Sequence, residues 1–147
     1  MEQMRVDELP DLLKDAVNKA IITSKKSVSN YYHYNVCAVI IDEGGNEFTG
    51  VNWEPANGAT VCGEVSALSQ YILSERKKIT HIITFGCPEE RDPSNENFCT
   101  PCGSCRQRLN DFCSKDTIIL GVNETGNEVR KFTLDELLPY SFGAENL

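Results

Sequence analysis

The residues best equipped for chemistry are thiols: seven cysteines in 147 residues, with Cys99, Cys102, Cys105 and Cys113 close together. The sharpest pattern is Pro101-Cys102-Gly103-Ser104-Cys105. Thr100 as N-cap and Pro101 in the first helical turn predict that both cysteines lie in that turn. Three apart, they put their sulfurs on one helix face, within reach of a shared ion. A helix N-terminus favours thiolate, the form that ligates zinc. Two thiolates leave a tetrahedral site unfinished, and Cys62, also at the expected start of a helix, is the candidate third ligand. Glu64, two residues on, is a carboxylate that can stand beside the metal without binding it. Zinc on three thiolates, with its fourth place open to water and a carboxylate alongside, is equipped for hydrolytic attack on a polarised ring carbon.

The same thiols admit plainer readings. One is a closed structural zinc site with Cys99 as fourth ligand, since C-x-x-C is common in such sites. Another makes Cys102 and Cys105 a redox pair and Cys62 a small core residue. Cys37, in an apolar run, and Cys87 and Cys113 read as structural.

Positioning these groups requires a sheet and helices. Apolar residues at helical spacing predict a helix over Val6–Thr23, and the β-branched run Val36–Asp42 predicts a strand buried on both faces. After the turn at Glu43–Asn46, Glu47–Val51 returns as its hairpin partner. Further helices are expected over Val61–Ser74 and Pro101–Cys113, with a last turn at Leu134–Leu138. Strands are expected at His81–Phe85, Thr117–Val122 and Glu128–Phe132. The order α-β-β-α-β-α-β-β-α implies one α/β domain over residues 1–147, a three-layer α/β/α arrangement with a single mixed sheet flanked by helices.

Composition narrows the partners. Fourteen Lys and Arg against 22 Asp and Glu give a formal charge of -8, which disfavours a nucleic-acid backbone or an anionic membrane as the main partner. The longest apolar run, Val36–Ile41, is far below the ~20 residues that span a bilayer. The start, with Glu2, Arg5, Asp7 and Glu8, shows no secretory leader, so a disulfide framework is the weaker account of the cysteines and a cytoplasmic location is expected.

Taken together, the motifs resemble the small homotetrameric cytidine deaminases. The order of a metal ligand, a Glu two residues on, then P-C-x-x-C is the zinc-deaminase pattern. Four blocks carry the resemblance: Tyr31-Tyr32-His33-Tyr34-Asn35-Val36 with Ala38, Gly50-Val51-Asn52-Trp53-Glu54, Val61-Cys62-Gly63-Glu64, and Pro101 through Gln107. The tail Glu136–Gly143 is also similar. The resemblance implies zinc on Cys62, Cys102 and Cys105, one ion per chain, and Glu64 as proton shuttle. It implies Asn52 and Glu54 on the ribose 3′-hydroxyl, and residues two apart in an extended segment do share a side. Tyr34, where the family has Phe, and Ala56 would line the substrate site. Phe142 would stack on the base across a subunit boundary in a tetramer.

Departures from the family bear on substrate choice. Val65 follows the catalytic Glu where the family has Arg, leaving Arg106 to offset the thiolate charge and the metal a weaker Lewis acid. The loop between Glu54 and Cys62 is short, and Gly63 replaces Ala. Blasticidin S deaminase, a close relative, shares the aliphatic residue and the shorter loop but lacks an equivalent of Glu54. Deamination of cytidine and deoxycytidine is therefore the expected activity. The alternatives are a modified or antibiotic pyrimidine nucleoside, blasticidin S-like, and a non-catalytic zinc-stabilised module.

Overall fold

The apolar run after Tyr34 has no polar–apolar alternation, and the computed structural model, which describes all residues 1–147, shows why. Strand β2 (Tyr34–Asp42) lies in the interior of a six-stranded sheet covered on both faces. The strands run β1-β6-β5-β4-β2-β3 across the sheet, where β1 is Glu2–Arg5, β3 Glu47–Val51, β4 Ile79–Pro88, β5 Ile118–Val122 and β6 Glu128–Thr133. Only β4 and β5 pair in parallel; every other neighbouring pair is antiparallel. That parallel pair needs a crossover, supplied by α3 (Gly103–Asn110).

Side-chain alternation divides the core in two. Cys37, Val39 and Ile41 of β2, with Ile83, Phe85 and Cys87 of β4, pack under Ala16, Val17 and Ala20 of α1 (Asp11–Ser24). On the opposite face Ala38, Ile40, Ile82 and Ile119 meet α2 (Gly63–Ile72), α3 and the short α4 (Leu134–Leu137) through Ala67, Leu68, Tyr71, Leu109 and Leu134. The expected α/β/α layering and mixed sheet are what the structure has.

Several boundaries differ from expectation by one to five residues, and two helix starts show why. The first helix begins at Asp11, not Val6: Pro10, extended at ψ 148°, is its N-cap, and a residue preceding proline resists helical geometry. The residues ahead of it form a 3₁₀ turn at Val6–Glu8 and strand β1, a polar segment recruited by its backbone pairing with β6. The third helix begins at Gly103, so Cys102 rather than Thr100 is its N-cap.

Helix α2 sits directly on the hairpin because Gly50 has no side chain. A Cβ there would lie 2.2 Å from the Ala67 nitrogen and 2.6 Å from the Gly63 carbonyl oxygen. Gly63 is close but less tight, its Cβ position being 3.2 Å from the Gly50 carbonyl. Glycine in place of Ala at position 63 thus fits a close helix–strand approach.

Candidate active site

Two helix N-termini converge on the α2/α3 face of the sheet. Cys62 is the N-cap of α2 and Cys102 the N-cap of α3, both with extended backbone, while Glu64 and Cys105 lie in the first turns that follow. The three thiol sulfurs of Cys62, Cys102 and Cys105 lie within 4.8 Å of one another, and those of Cys62 and Cys102 are 3.9 Å apart. A tetrahedral ion with bonds of about 2.3 Å needs sulfurs about 3.8 Å apart. The donor set therefore fits zinc in type, number and spacing. Cys99 stands outside the trio, its Sγ against Gly86 of β4, so the closed four-cysteine reading has no geometric support.

Glu64 is 4 % exposed, and the Cys105 thiol donates to its Oε2 at 3.6 Å. Burial pushes its carboxyl above the usual carboxylate range. For Cys102, burial is outweighed by hydrogen bonding from the Cys105 backbone, Cys105 and Cys62, which holds the thiol below its ordinary value. Burial pushes Cys62 and Cys105 up. The chain thus supplies a buried carboxylate beside a three-thiol centre with room for one more ligand.

The cavity over this centre is about 340 Å³ and is lined by Tyr34, Asn52, Glu64, Phe98, Cys99 and Thr100, among others. That volume suits a small ligand. A larger groove of about 550 Å³, between Arg5, Lys14, Asn18 and Glu128, lies against none of these groups. Asn52 is 8 % exposed and locked. Its Oδ1 accepts from the Val36 N–H at 2.8 Å and from Ser27 Oγ, and its Nδ2 donates to the Tyr34 carbonyl at 2.9 Å. Glu54 is buried, and its Oε2 accepts from the backbone N–H groups of Tyr31 and Tyr32 at 2.8 and 3.2 Å. It holds the Tyr31–Tyr32 loop and is not part of the cavity lining. Ala56 is exposed in the loop beyond, which mutual Trp53–Val61 backbone bonds pinch closed. Phe142 is 57 % exposed. Its carbonyl accepts from Gln107 and Asn110 of α3, and the residue does not line this chain's own cavity.

Arg106 acts as a strut. Its guanidinium donates to the Pro101 carbonyl at 2.7 Å, to Thr100 Oγ1 at 3.1 Å and to the Leu137 carbonyl at 3.0 Å. It ties the ligand loop to the tail. Phe98, which no motif flagged, lines the cavity with the Arg130 guanidinium stacked 4.1 Å from its ring centroid. Cys99 and Thr100 could have been found by adjacency to the Pro-Cys motif. Phe98 had no such signal, because its place depends on pairing with Asn123 at the end of β5.

Fold and site together define an α/β/α domain with a three-thiolate metal centre facing a small cavity. Residues 11–121 match the family described as the cytidine and deoxycytidylate deaminase zinc-binding region, and the chain belongs to that family. A cytidine deaminase of Halalkalibacterium halodurans is 29 % identical over 132 residues, covering 89 % of this chain and 94 % of that one. One from Haemophilus influenzae is 30 % identical over 138 residues, which are 92 % of this chain but only 41 % of that longer protein. Among solved structures, cytidine deaminase from Burkholderia pseudomallei aligns with TM-score 0.75 at 24 % identity, covering 87 % of this chain and 97 % of that one. The enzyme from Mycobacterium tuberculosis aligns with TM-score 0.72 at 20 % identity, over 92 % and 99 %. Both bear on the fold.

Proposed function

We propose that this protein is a zinc-dependent deaminase that hydrolyses cytidine and deoxycytidine to uridine and deoxyuridine, releasing ammonia. The observation that carries this is the buried Glu64 carboxylate against Cys105, one of three thiols grouped at zinc spacing beside the cavity. Bound there by Cys62, Cys102 and Cys105, zinc supplies Lewis acidity that makes water nucleophilic near neutral pH. Glu64 then accepts a proton from the attacking water and delivers it to ring N3. It next takes the proton of the hydroxyl now on C4 and passes it to the amine; the C4–N bond breaks as the C4 carbonyl forms, so that cytidine and water become uridine and ammonia.

In the same reading Asn52 and Glu54 recognise the ribose, with Tyr34 and Ala56 contributing to the substrate site. The Asn52 amide, already fixed by three protein contacts, needs no reorganisation to meet a hydroxyl. Phe142, exposed on the α3 side, completes a neighbour's site in a homotetramer. The protein acts as one domain over residues 1–147 in the cytoplasm, where all seven cysteines, free in this chain, stay reduced. No helix is long and apolar enough to cross a membrane.

The decisive assay follows ultraviolet loss of cytidine absorbance with zinc-loaded protein, beside deoxycytidine, cytosine, CMP and blasticidin S. Cytidine and deoxycytidine should react well, and cytosine and CMP poorly. Turnover of blasticidin S alone would replace this substrate assignment, and no turnover of any compound would remove it.

A further inference from the structure

Phe98 reaches the cavity on a segment outside the helices and strands, yet three sets of contacts fix it. Its backbone pairs with Asn123 at the end of β5. On either side, the Cys99 N–H donates to the Val122 carbonyl and the Glu124 N–H to the Asn97 carbonyl, at 3.0 Å each. Beneath the segment, Gly121 leaves the sheet bare. A Cβ there would lie 2.7 Å from the Cys99 carbonyl oxygen, and Thr84 Oγ1 donates to that same oxygen at 2.8 Å. The segment therefore rests against the sheet, and its residues Phe98, Cys99 and Thr100 line the cavity.

The third contact is to the ring itself. Arg130 of β6 stands opposite Gly121, which stands opposite Thr84 of β4, so all three project from the sheet face that carries this segment. The guanidinium carbon lies 4.1 Å from the Phe98 ring centroid, inside the roughly 6 Å over which a cation is attracted to an aromatic face. The chain has 22 acidic residues, yet none of its ion pairs includes Arg130. Instead Arg130 Nε donates to the side-chain carbonyl of Gln3 in β1 at 3.2 Å, which holds the guanidinium in place without neutralising it. The cation is committed to Phe98.

A ring covered on one face by a guanidinium, on a backbone bonded at both sides, has little rotamer freedom left. Pockets for small ligands bury about 70–90 % of the ligand surface. A nucleoside beside the thiol trio, in a cavity of about 340 Å³, therefore meets the Phe98 wall. A wall ordered in advance adds contact without an ordering cost at binding.

We infer that Phe98 is a further substrate-binding residue, giving the nucleoside an apolar wall, and that Arg130 is a positioning residue that fixes its ring. The inference takes its substrate from the deaminase reading of the site.

The test measures cytidine KM and kcat, zinc content, thermal unfolding and calorimetric binding of uridine. The proteins are zinc-loaded wild type, Phe98→Ala, Phe98→Leu, Arg130→Ala, Arg130→Lys and the double variant Phe98→Leu/Arg130→Ala. Phe98→Ala should raise KM about tenfold, the scale of one lost apolar side-chain contact, with kcat within about twofold and zinc unchanged. Phe98→Leu keeps the bulk if alanine fails to fold, and should raise KM about threefold through loss of the aromatic ring. Arg130→Ala should raise KM about threefold, and Arg130→Lys, which keeps a cation over the ring, should restore most of that loss. The double variant should be no worse than Phe98→Leu, since Arg130 acts through the ring. Unchanged KM in both Phe98 variants, losses that add fully in the double variant, or Arg130→Lys as impaired as Arg130→Ala would each overturn the inference while leaving cytidine deamination intact. Uridine affinities that follow the expected order, with no cytidine turned over by the wild type, keep the wall and overturn the deaminase reading instead.

Discussion

The two ends of the cavity are built on different principles. At the thiol end, each reactive group sits at a helix N-cap or in a first turn: Cys62 and Glu64 on α2, Cys102 and Cys105 on α3. The bodies of both helices are anchored in the core through Ala67, Leu68, Tyr71 and Leu109. At the outer end, Tyr34 starts a strand, while Asn52, Phe98 and Cys99 lie outside regular elements and are fixed by side-chain and backbone hydrogen bonds. Metal ligation tolerates errors of only about 0.2 Å, which rigid helices can hold. Hydrogen bonding tolerates more, so a locked loop suffices to hold the Asn52 amide.

The largest effect should come from breaking the thiol end. Cys102→Ser should lower zinc per chain from about one toward zero and abolish turnover, because a hydroxyl replaces thiolate poorly. Cys99→Ser should leave zinc in place, and metal analysis after gel filtration distinguishes the two. Next, Glu64→Gln should keep zinc and fold while slowing turnover at least 10²–10⁴-fold, roughly the range for removing a central acid–base group. Near-normal steady-state rates in that variant would unseat Glu64.

Gly50→Ala attacks the support of α2 rather than its ligands. Forcing a methyl group into the Ala67 backbone should cost about 3 kcal/mol in denaturant unfolding or prevent folding. Gly63→Ala, with gentler contacts, should cost about 1 kcal/mol. Equal stabilities would show that α2 does not rest on β3 as described. At the outer end, Asn52→Ala strands the Val36 N–H and the Tyr34 carbonyl, worth about 2 kcal/mol. It should raise KM more than it lowers kcat and leave zinc untouched. Loss of metal in Asn52→Ala would mean that the two ends are not separable.

The smallest effect is a control at the hairpin turn, away from both ends. Asp42 Oδ1 accepts from Gly44 and Asn46 N–H groups at 2.9 Å each. Against the cost of burial, these bonds and the Asn46 side chain hold its carboxyl below the usual range. With the folded value depressed, the unfolded chain binds more protons between the two values, so stability rises with pH across that window. The contribution is full above the ordinary Asp value of about 3.9 and is lost as pH falls through the folded value. Asp42→Asn should therefore cost about 1 kcal/mol at pH 7 and nothing at the acid end. Unfolding curves at pH 7 and below pH 3 measure the difference, and a cost independent of pH would remove the carboxylate from the account.

Where local pattern and global fold agreed, the residues announced themselves. Strand β3 was readable to the residue, and β2 within two, because apolar runs beside a Gly-Gly turn leave little choice. The thiol end was legible only through the combined order of Cys62, Glu64 and Pro101-Cys102-x-x-Cys105, since C-x-x-C by itself also serves structural zinc sites and redox pairs. Strand β1 was not, because Glu-Gln-Met-Arg has no apolar pattern and is ordered only by pairing with a strand about 125 residues away in sequence. The helix register at Cys102 was missed by two positions because Pro101 suits a first turn equally well.

The sequence alone thus supplied the candidates for the chemistry, three thiols and a carboxylate spaced to share one site, in an acidic chain with an α/β pattern. Tertiary structure decided the rest. It placed Cys99 outside the trio, spent one Glu54 oxygen on the Tyr31–Tyr32 loop, and carried Phe142 away from its own chain's cavity. It also put Phe98 on the cavity wall, through the pairing of Asn97–Cys99 with the end of β5. The physical reason is range. Ligand spacing within one helical turn is fixed by local geometry, whereas contacts between residues far apart in sequence exist only once the sheet has closed its hydrogen bonds.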